Sequence, residues 1–113
     1  MFNFFAKHKT AEQQQRAHNK QVLETLVRDG SKLEKEHLVE LAFAGDWKKM
    51  NSLKENLLKE GYEQVLNQTD QMLVVSKWQK INLEEINKLT DRMEKLAIKR
   101  QVVFDGWSTY PVK

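Results

Sequence analysis

An α+β fold with a four-stranded antiparallel sheet is predicted by three features of this sequence. Apolar residues recur at helical spacing in three stretches and at strand spacing in four others. Glycines or single polar capping residues stand at the junctions between these stretches. With 113 residues the chain supports one domain and one modest core, and a composition 40% apolar and 31% charged with a single proline is that of a folded chain.

Thr10-Ala11-Glu12-Gln13 reads as a capping box that opens a helix, and Gly30 stops it. Its apolar stripe is Val22, Leu23, Leu26 and Val27. The earlier turns, from Gln13 to Arg16, have nothing to bury and are expected to be exposed or frayed. His37 to Phe43 reads as a strand with Val39, Leu41 and Phe43 on one face. Ala44-Gly45-Asp46 turns the chain, and Asp46 caps a helix over 47–60 whose buried stripe is Trp47, Met50, Leu53 and Leu57. Gly61 ends it. Tyr62 to Leu66 and Met72 to Trp78 then read as two strands joined by the polar loop 67–71. Asn82 caps the next helix, with Glu85 at its third position, and Ile86, Leu89, Met93, Leu96 and Ala97 form its inner face. Lys99 and Arg100 close it favourably for the helix dipole. Val102-Val103-Phe104 gives a last short strand, and Pro111 marks the end of regular structure.

After the leading helix, the order strand–helix–strand–strand–helix–strand consists of two split strand–helix–strand units. That is the ferredoxin-like arrangement βαββαβ: a four-stranded antiparallel sheet with two helices on one face, here preceded by an extra N-terminal helix. The chain accordingly divides into a Phe-rich arm (1–9), an N-terminal helix (10–30) and the ferredoxin-like part (31–113) of a single domain.

The net charge of +3 is unevenly placed. Blocks 1–30, 47–60 and 77–100 are positive, whereas 31–46 and 61–76 are negative. Positive blocks coincide with predicted helices, so the helical layer is expected to present Lys48, Lys49, Lys54, Lys88, Arg92, Lys95 and Lys99. A lysine-rich helical layer is most simply a solvated face; its sharper consequence is weak, salt-sensitive, sequence-independent contact with RNA.

The same residues argue against catalysis. No cysteine is present, which removes disulfides, thiolate metal sites and cysteine nucleophiles. His8, His18 and His37 are scattered, and a zinc site wants three or four ordered ligands. Glycines at 30, 45, 61 and 106 form no phosphate-binding loop. Glu84 and Glu85 diverge by about 100° on a helix and suit its N-terminus better than an acid–base pair. No catalytic, metal-binding or cofactor-binding set is expected. The aromatic strand motif of RNA-recognition modules is missing too. No apolar run approaches the roughly 20 residues that cross a bilayer, and the first residues lack a signal-peptide pattern, so a cytoplasmic protein without membrane contact is expected.

The most informative run is Val103-Phe104-Asp105-Gly106-Trp107-Ser108-Thr109-Tyr110. Asp105-Gly106 permits a turn or a bulge. Trp107 and Tyr110 admit two readings, rings that seal the end of the core or anchors of a binding surface. This Asp-Gly-Trp-x-Thr-Tyr run, with Leu26-Val27-Arg28-Asp29-Gly30-Ser31 and Glu60-Gly61-Tyr62-Glu63, resembles the bacterial regulators of ribonuclease E activity B, the RraB or ribonuclease E inhibitor family. The resemblance covers roughly residues 20–110 in one register. It implies a cytoplasmic, non-catalytic protein that docks on ribonuclease E or another degradosome component and modulates RNA degradation. Candidate docking residues are Asp105, Gly106, Trp107 and Tyr110, with Lys48, Lys49 and Lys95 of the basic face. Two departures stand out: the family's best-known form is acidic with an Asp/Glu-rich tail, whereas this chain is net basic and stops at Lys113, and it begins with Met1-Phe2-Asn3-Phe4-Phe5. A diverged relative that binds a different protein is the alternative. Three phenyl rings left in water would forgo about 1.5–3 kcal/mol each, so the arm is expected to pack on the domain, on a second copy of the chain as a homodimer, or on a partner, a frayed end being the plain alternative.

Overall fold

A computed structural model of the chain describes residues 11–65 and 71–113. Their elements are α1 (Ala11–Arg28), β1 (His37–Ala44), α2 (Trp47–Lys59), β2 (Glu63–Gln64), β3 (Met72–Gln79), α3 (Leu83–Arg100) and β4 (Val103–Ser108). The fold is α+β, and the strands form one antiparallel sheet in the order β2-β3-β1-β4. Thr10, the Phe-rich arm, Leu66 and most of the predicted polar loop lie outside the described residues.

Strand alternation decides which way the sheet faces. His37, Val39, Leu41 and Phe43 of β1 are buried, while the residues between them are only partly covered. Leu73 and Val75 of β3 share the buried side, and Phe43 meets Phe104 with ring centroids 5.3 Å apart. Over this side pack α2, through Met50, Leu53 and Leu57, and α3, through Ile86, Leu89, Met93 and Ala97. Full burial of each large aliphatic side chain contributes roughly 1.5–3 kcal/mol, which makes this layer the main source of stability.

Helix boundaries follow local chemistry. Lys48 N–H donates to Asp46 Oδ1 (3.1 Å) and Glu85 N–H to Asn82 Oδ1 (2.9 Å), so both predicted caps hold. α2 ends with Gly61 at φ 97°, Gly61 N–H donating to Leu58 O and Tyr62 N–H to Leu57 O. α3 ends the same way at Gln101 (φ 59°), where Val102 N–H donates to Ala97 O. These are Schellman motifs, and in both the next residue, Tyr62 or Val102, drops into the core.

Several expectations are corrected. Trp47 is 38% exposed and lies outside the core; Lys54 Nζ sits 5.3 Å from its ring centroid. It occupies the first helical position, where the buried face has only begun. Val27 faces water, because Leu23 and Leu26 take the inward positions of α1. The second strand is reduced to Glu63–Gln64, since the helix-ending motif claims Tyr62. The last strand begins at Val103 and continues through Asp105-Gly106 to Ser108, and that pair forms a bulge, the register against β1 shifting between Ala42 and Phe43.

The first turns of α1 are largely exposed, as expected of their polar run, and Arg16 reaches Asp91 of α3 at 2.7 Å. One turn on, fully buried Asn19 uses every hydrogen-bonding position of its amide. Nδ2 donates to Asn87 Oδ1 (2.9 Å) and Thr90 Oγ1 (3.0 Å), while Oδ1 accepts from Gln15 Nε2 (2.9 Å) and Trp107 Nε1 (2.7 Å). One asparagine therefore ties α1 to α3 and to β4.

A second polar cluster straps the last residues to the α1–β1 connection. His37 Nδ1 lies 2.9 Å from Lys35 O, which can only accept, so Nδ1 donates, and Nε2 shares a hydrogen bond with Ser31 Oγ at 2.6 Å. Val112 N–H donates to the same Ser31 Oγ (2.9 Å), Lys32 N–H to Val112 O (2.8 Å), and Lys35 Nζ to Lys113 O (2.9 Å).

Candidate functional site

The second face of the sheet carries no helix among the described residues. Register places its side chains in rows: Leu38 beside Trp78; Glu63, Ser76, Glu40 and Ser108 across all four strands; Val74, Ala42 and Gly106; then Met72, Ala44 and Val103. Trp78 is 56% exposed and Val103 faces water. Thr109 Oγ1 donates to Leu38 O (2.7 Å), which brings Tyr110, 62% exposed, to the same end of the sheet as Trp78. The result is an apolar, aromatic-edged surface whose only charges in these rows are two carboxylates. Ser108 Oγ donates to Glu40 at 3.3 Å, and no cation pairs with Glu40 or Glu63 among the described residues.

The helical layer has the opposite character. Lys48, Lys49, Lys95 and Lys99 are exposed without an ion pair among the described residues. Arg92 is held by Glu60 at 2.8 Å and Lys88 by Glu84 at 3.1 Å, a hydrogen bond that raises the lysine's pKa. The basic face is therefore weaker than its lysine count suggests. Its paired members are solvent-exposed, where such contacts contribute little.

The candidate residues do not gather into one site. Trp107 is only 7% exposed, with its ring in the core and its N–H on Asn19, so it seals and positions. Asp105 and Gly106 form the bulge that lets β4 change register and still bury Phe104 and Trp107 on the same side. Tyr110 stands at the start of β1, whereas Lys48 and Lys49 follow its end, with about 26 Å of strand between. Lys95 lies on α3, at a groove whose walls include Glu12, Gln15 and Glu94. The sequence reading overlooked Trp78, whose exposure follows from pairing with Leu38, opposite the buried row.

Ser31 and His37 are spaced like a nucleophile and its base. Both are sealed, however, and the serine oxygen already accepts from Val112 N–H, which leaves a substrate no approach. No three His, Asp or Glu side chains converge as a metal site among the described residues, and no described helix is long and apolar enough to cross a membrane.

Residues 16–109 match the family model described as Regulator of ribonuclease activity B. The chain belongs to the RraB family. A protein of Alteromonas mediterranea described by the same words is 29% identical over 106 residues, 83% of this chain and 78% of that protein. The match takes in Asn19, the carboxylate row and the whole Asp105-to-Thr109 run, so both sheet faces and the α1 clasp lie within the RraB region.

Proposed function

We propose that this protein is a non-catalytic, protein-binding regulator of ribonuclease E that modulates RNA degradation in the bacterial cytoplasm, on a ferredoxin-like βαββαβ scaffold. The observation that carries this reading is the family match over 16–109, joined to a sheet face that exposes Trp78, Tyr110 and Val103 around two carboxylates with no cation paired to them among the described residues. Exposed aromatic rings on a rigid sheet suit a protein contact, because they bring large area at small entropic cost. On this reading the docking surface is this face, with Tyr110 at its rim, and Trp107 shapes it from beneath.

The test is a cleavage assay in which the protein is titrated against purified ribonuclease E on a structured transcript. Slowing at near-stoichiometric amounts is expected, and Trp78→Ala should weaken it. Unchanged cleavage at tenfold excess would overturn the assignment to ribonuclease E. The second reading, a relative directed to another protein, draws on the net positive charge and on exposed lysines that make no ion pair among the described residues, Lys48, Lys49, Lys95 and Lys99 among them. It predicts capture of a different protein by the native chain and no effect on that cleavage.

A further inference from the structure

We propose that the sheet face bearing Trp78 takes a basic, proline-rich segment of a partner protein, bound in the polyproline II conformation. Two cations three residues apart meet Glu63 and Glu40, and the residues between them lie against Trp78. This names the partner's chemistry at the docking surface proposed above and rests on that reading.

Spacing selects the conformation. Glu63, Ser76 and Glu40 stand side by side on β2, β3 and β1, so two strand separations, about 9.6 Å, part the backbones of the two glutamates. Along an extended strand, side chains that point the same way recur at about 6.6 and 13 Å, and neither matches. In polyproline II they recur every three residues, at about 9.3 Å, which does. An α-helix reaches about 10.5 Å over seven residues, but its body is about 10–12 Å across. Trp78 leaves it no room, because the tryptophan's row runs only about 7 Å from the carboxylates.

The walls suit the same segment. Exposed Trp78 lies two residues along β3 from Ser76, beside the midpoint of the line from Glu63 to Glu40. Leu38 pairs with Trp78, and exposed Tyr110 follows two residues after Ser108, which pairs with Glu40. An apolar, aromatic row therefore runs alongside the carboxylates. Proline-rich segments dock on such rings because they are extended before they bind and lose little entropy. The glutamates add the selection for positive charge. Glu40 accepts from Ser108 Oγ through Oε1 alone (3.3 Å), and neither glutamate meets a cation among the described residues. Arginine is favoured over lysine, since its planar fork pairs with a carboxylate through two hydrogen bonds. The Ser76 hydroxyl can donate to the segment's backbone carbonyls, which polyproline II leaves without internal partners.

Fluorescence anisotropy of a labelled peptide, Pro-Pro-Arg-Pro-Pro-Arg-Pro-Pro, titrated with the full chain at low salt tests the proposal. Binding is expected, and Glu40→Gln/Glu63→Gln should weaken it about tenfold, as loss of two charge-assisted contacts implies. Trp78→Ala should weaken it by about tenfold or more, the effect of removing an aromatic anchor. Lys95→Ala/Lys99→Ala, on the helical layer, should leave it unchanged. A peptide with its two arginines adjacent should bind more weakly, and one with glutamates in their place should not bind. These peptide comparisons use the unaltered protein, so they decide even where a substitution disturbs the fold. Equal affinity for all three peptides, or for the parent and the double glutamine variant, would overturn the proposal. A labelled oligouridylate whose binding is lost in Trp78→Ala would also overturn it, in favour of a nucleic-acid surface. No peptide binding, with ribonuclease E inhibition that still depends on Trp78, would refute the segment and leave the proposed function standing. Peptide binding as expected without inhibition would support the segment and refute only the assignment to ribonuclease E.

Discussion

Replacing Asn19 by alanine should cost more stability than its place in a polar run suggests. The side chain is fully buried and holds four partners. Gln15 and Asn87 are partly exposed and can turn to water, and Thr90 keeps its bond to Ile86 O. Trp107 Nε1 has no such recourse: it sits in the core and would lose its acceptor. An orphaned buried donor costs about 1–3 kcal/mol and each forfeited ordinary bond about 0.5–1.5, which puts Asn19→Ala at about 2–4 kcal/mol. Urea titration followed by tryptophan emission measures it, because Trp107 is the buried indole of the three. Trp107→Phe should cost less, since it removes the donor along with its need. The double variant should fall short of additivity by about 1–2 kcal/mol. Additive penalties, or an Asn19→Ala midpoint equal to that of the parent, would refute the clasp.

Met93→Ala, at a fully buried position, should lose about 2–5 kcal/mol, whereas Trp47→Ala, Lys48→Ala and Lys95→Ala should each lower the urea midpoint far less. Burial raises the Tyr62 pKa above its usual 10.0, so the folded state holds this proton more tightly than the unfolded chain. Its contribution is complete below pH about 10 and is lost as pH rises through the folded value, and Tyr62→Phe should remove that component from urea midpoints compared at pH 9 and pH 11. Single-stranded RNA should bind weakly through Lys48, Lys49, Lys95 and Lys99, with a log–log salt slope no steeper than about −3; Lys48→Ala/Lys49→Ala should roughly halve it, and a salt-independent affinity would contradict the electrostatic origin.

The element order was legible because each boundary is written in local chemistry. Asp46 and Asn82 cap within three residues of themselves, and the Gly30 and Gly61 stops need only their own backbone conformation. What escaped depends on partners far along the chain. Asn19 belongs to a run of glutamine, arginine and asparagine that carries no hydrophobic signal, and its clasp exists only once Thr90 and Trp107 arrive. Trp47 carried a strong apolar signal at a helix position that does not face the sheet. The exposure of Trp78 could not be read from Met72–Gln79 alone, since that strand is apolar on both sides and alternation cannot then say which side is covered.

The sheet order has a consequence for how the chain folds. β1 lies in the interior of the sheet between β3 and β4, yet β4 is the last element of the chain. Glu40 pairs with Ser108, and Ser31 waits for Val112, eighty-one residues away. Such pairings demand the closure of long loops before any contact returns free energy, so folding should be slow for a domain of this size. On the ribosome, β1, α2 and β3 can assemble first, but one edge of β1 stays unpaired and Asn19 Oδ1 lacks its Trp107 donor until β4 emerges. The nascent intermediate thus exposes a strand edge bearing Leu41 and Phe43, open to pairing with another chain. Premature release before Val103–Ser108 is synthesised should therefore favour aggregation over a stable truncated domain.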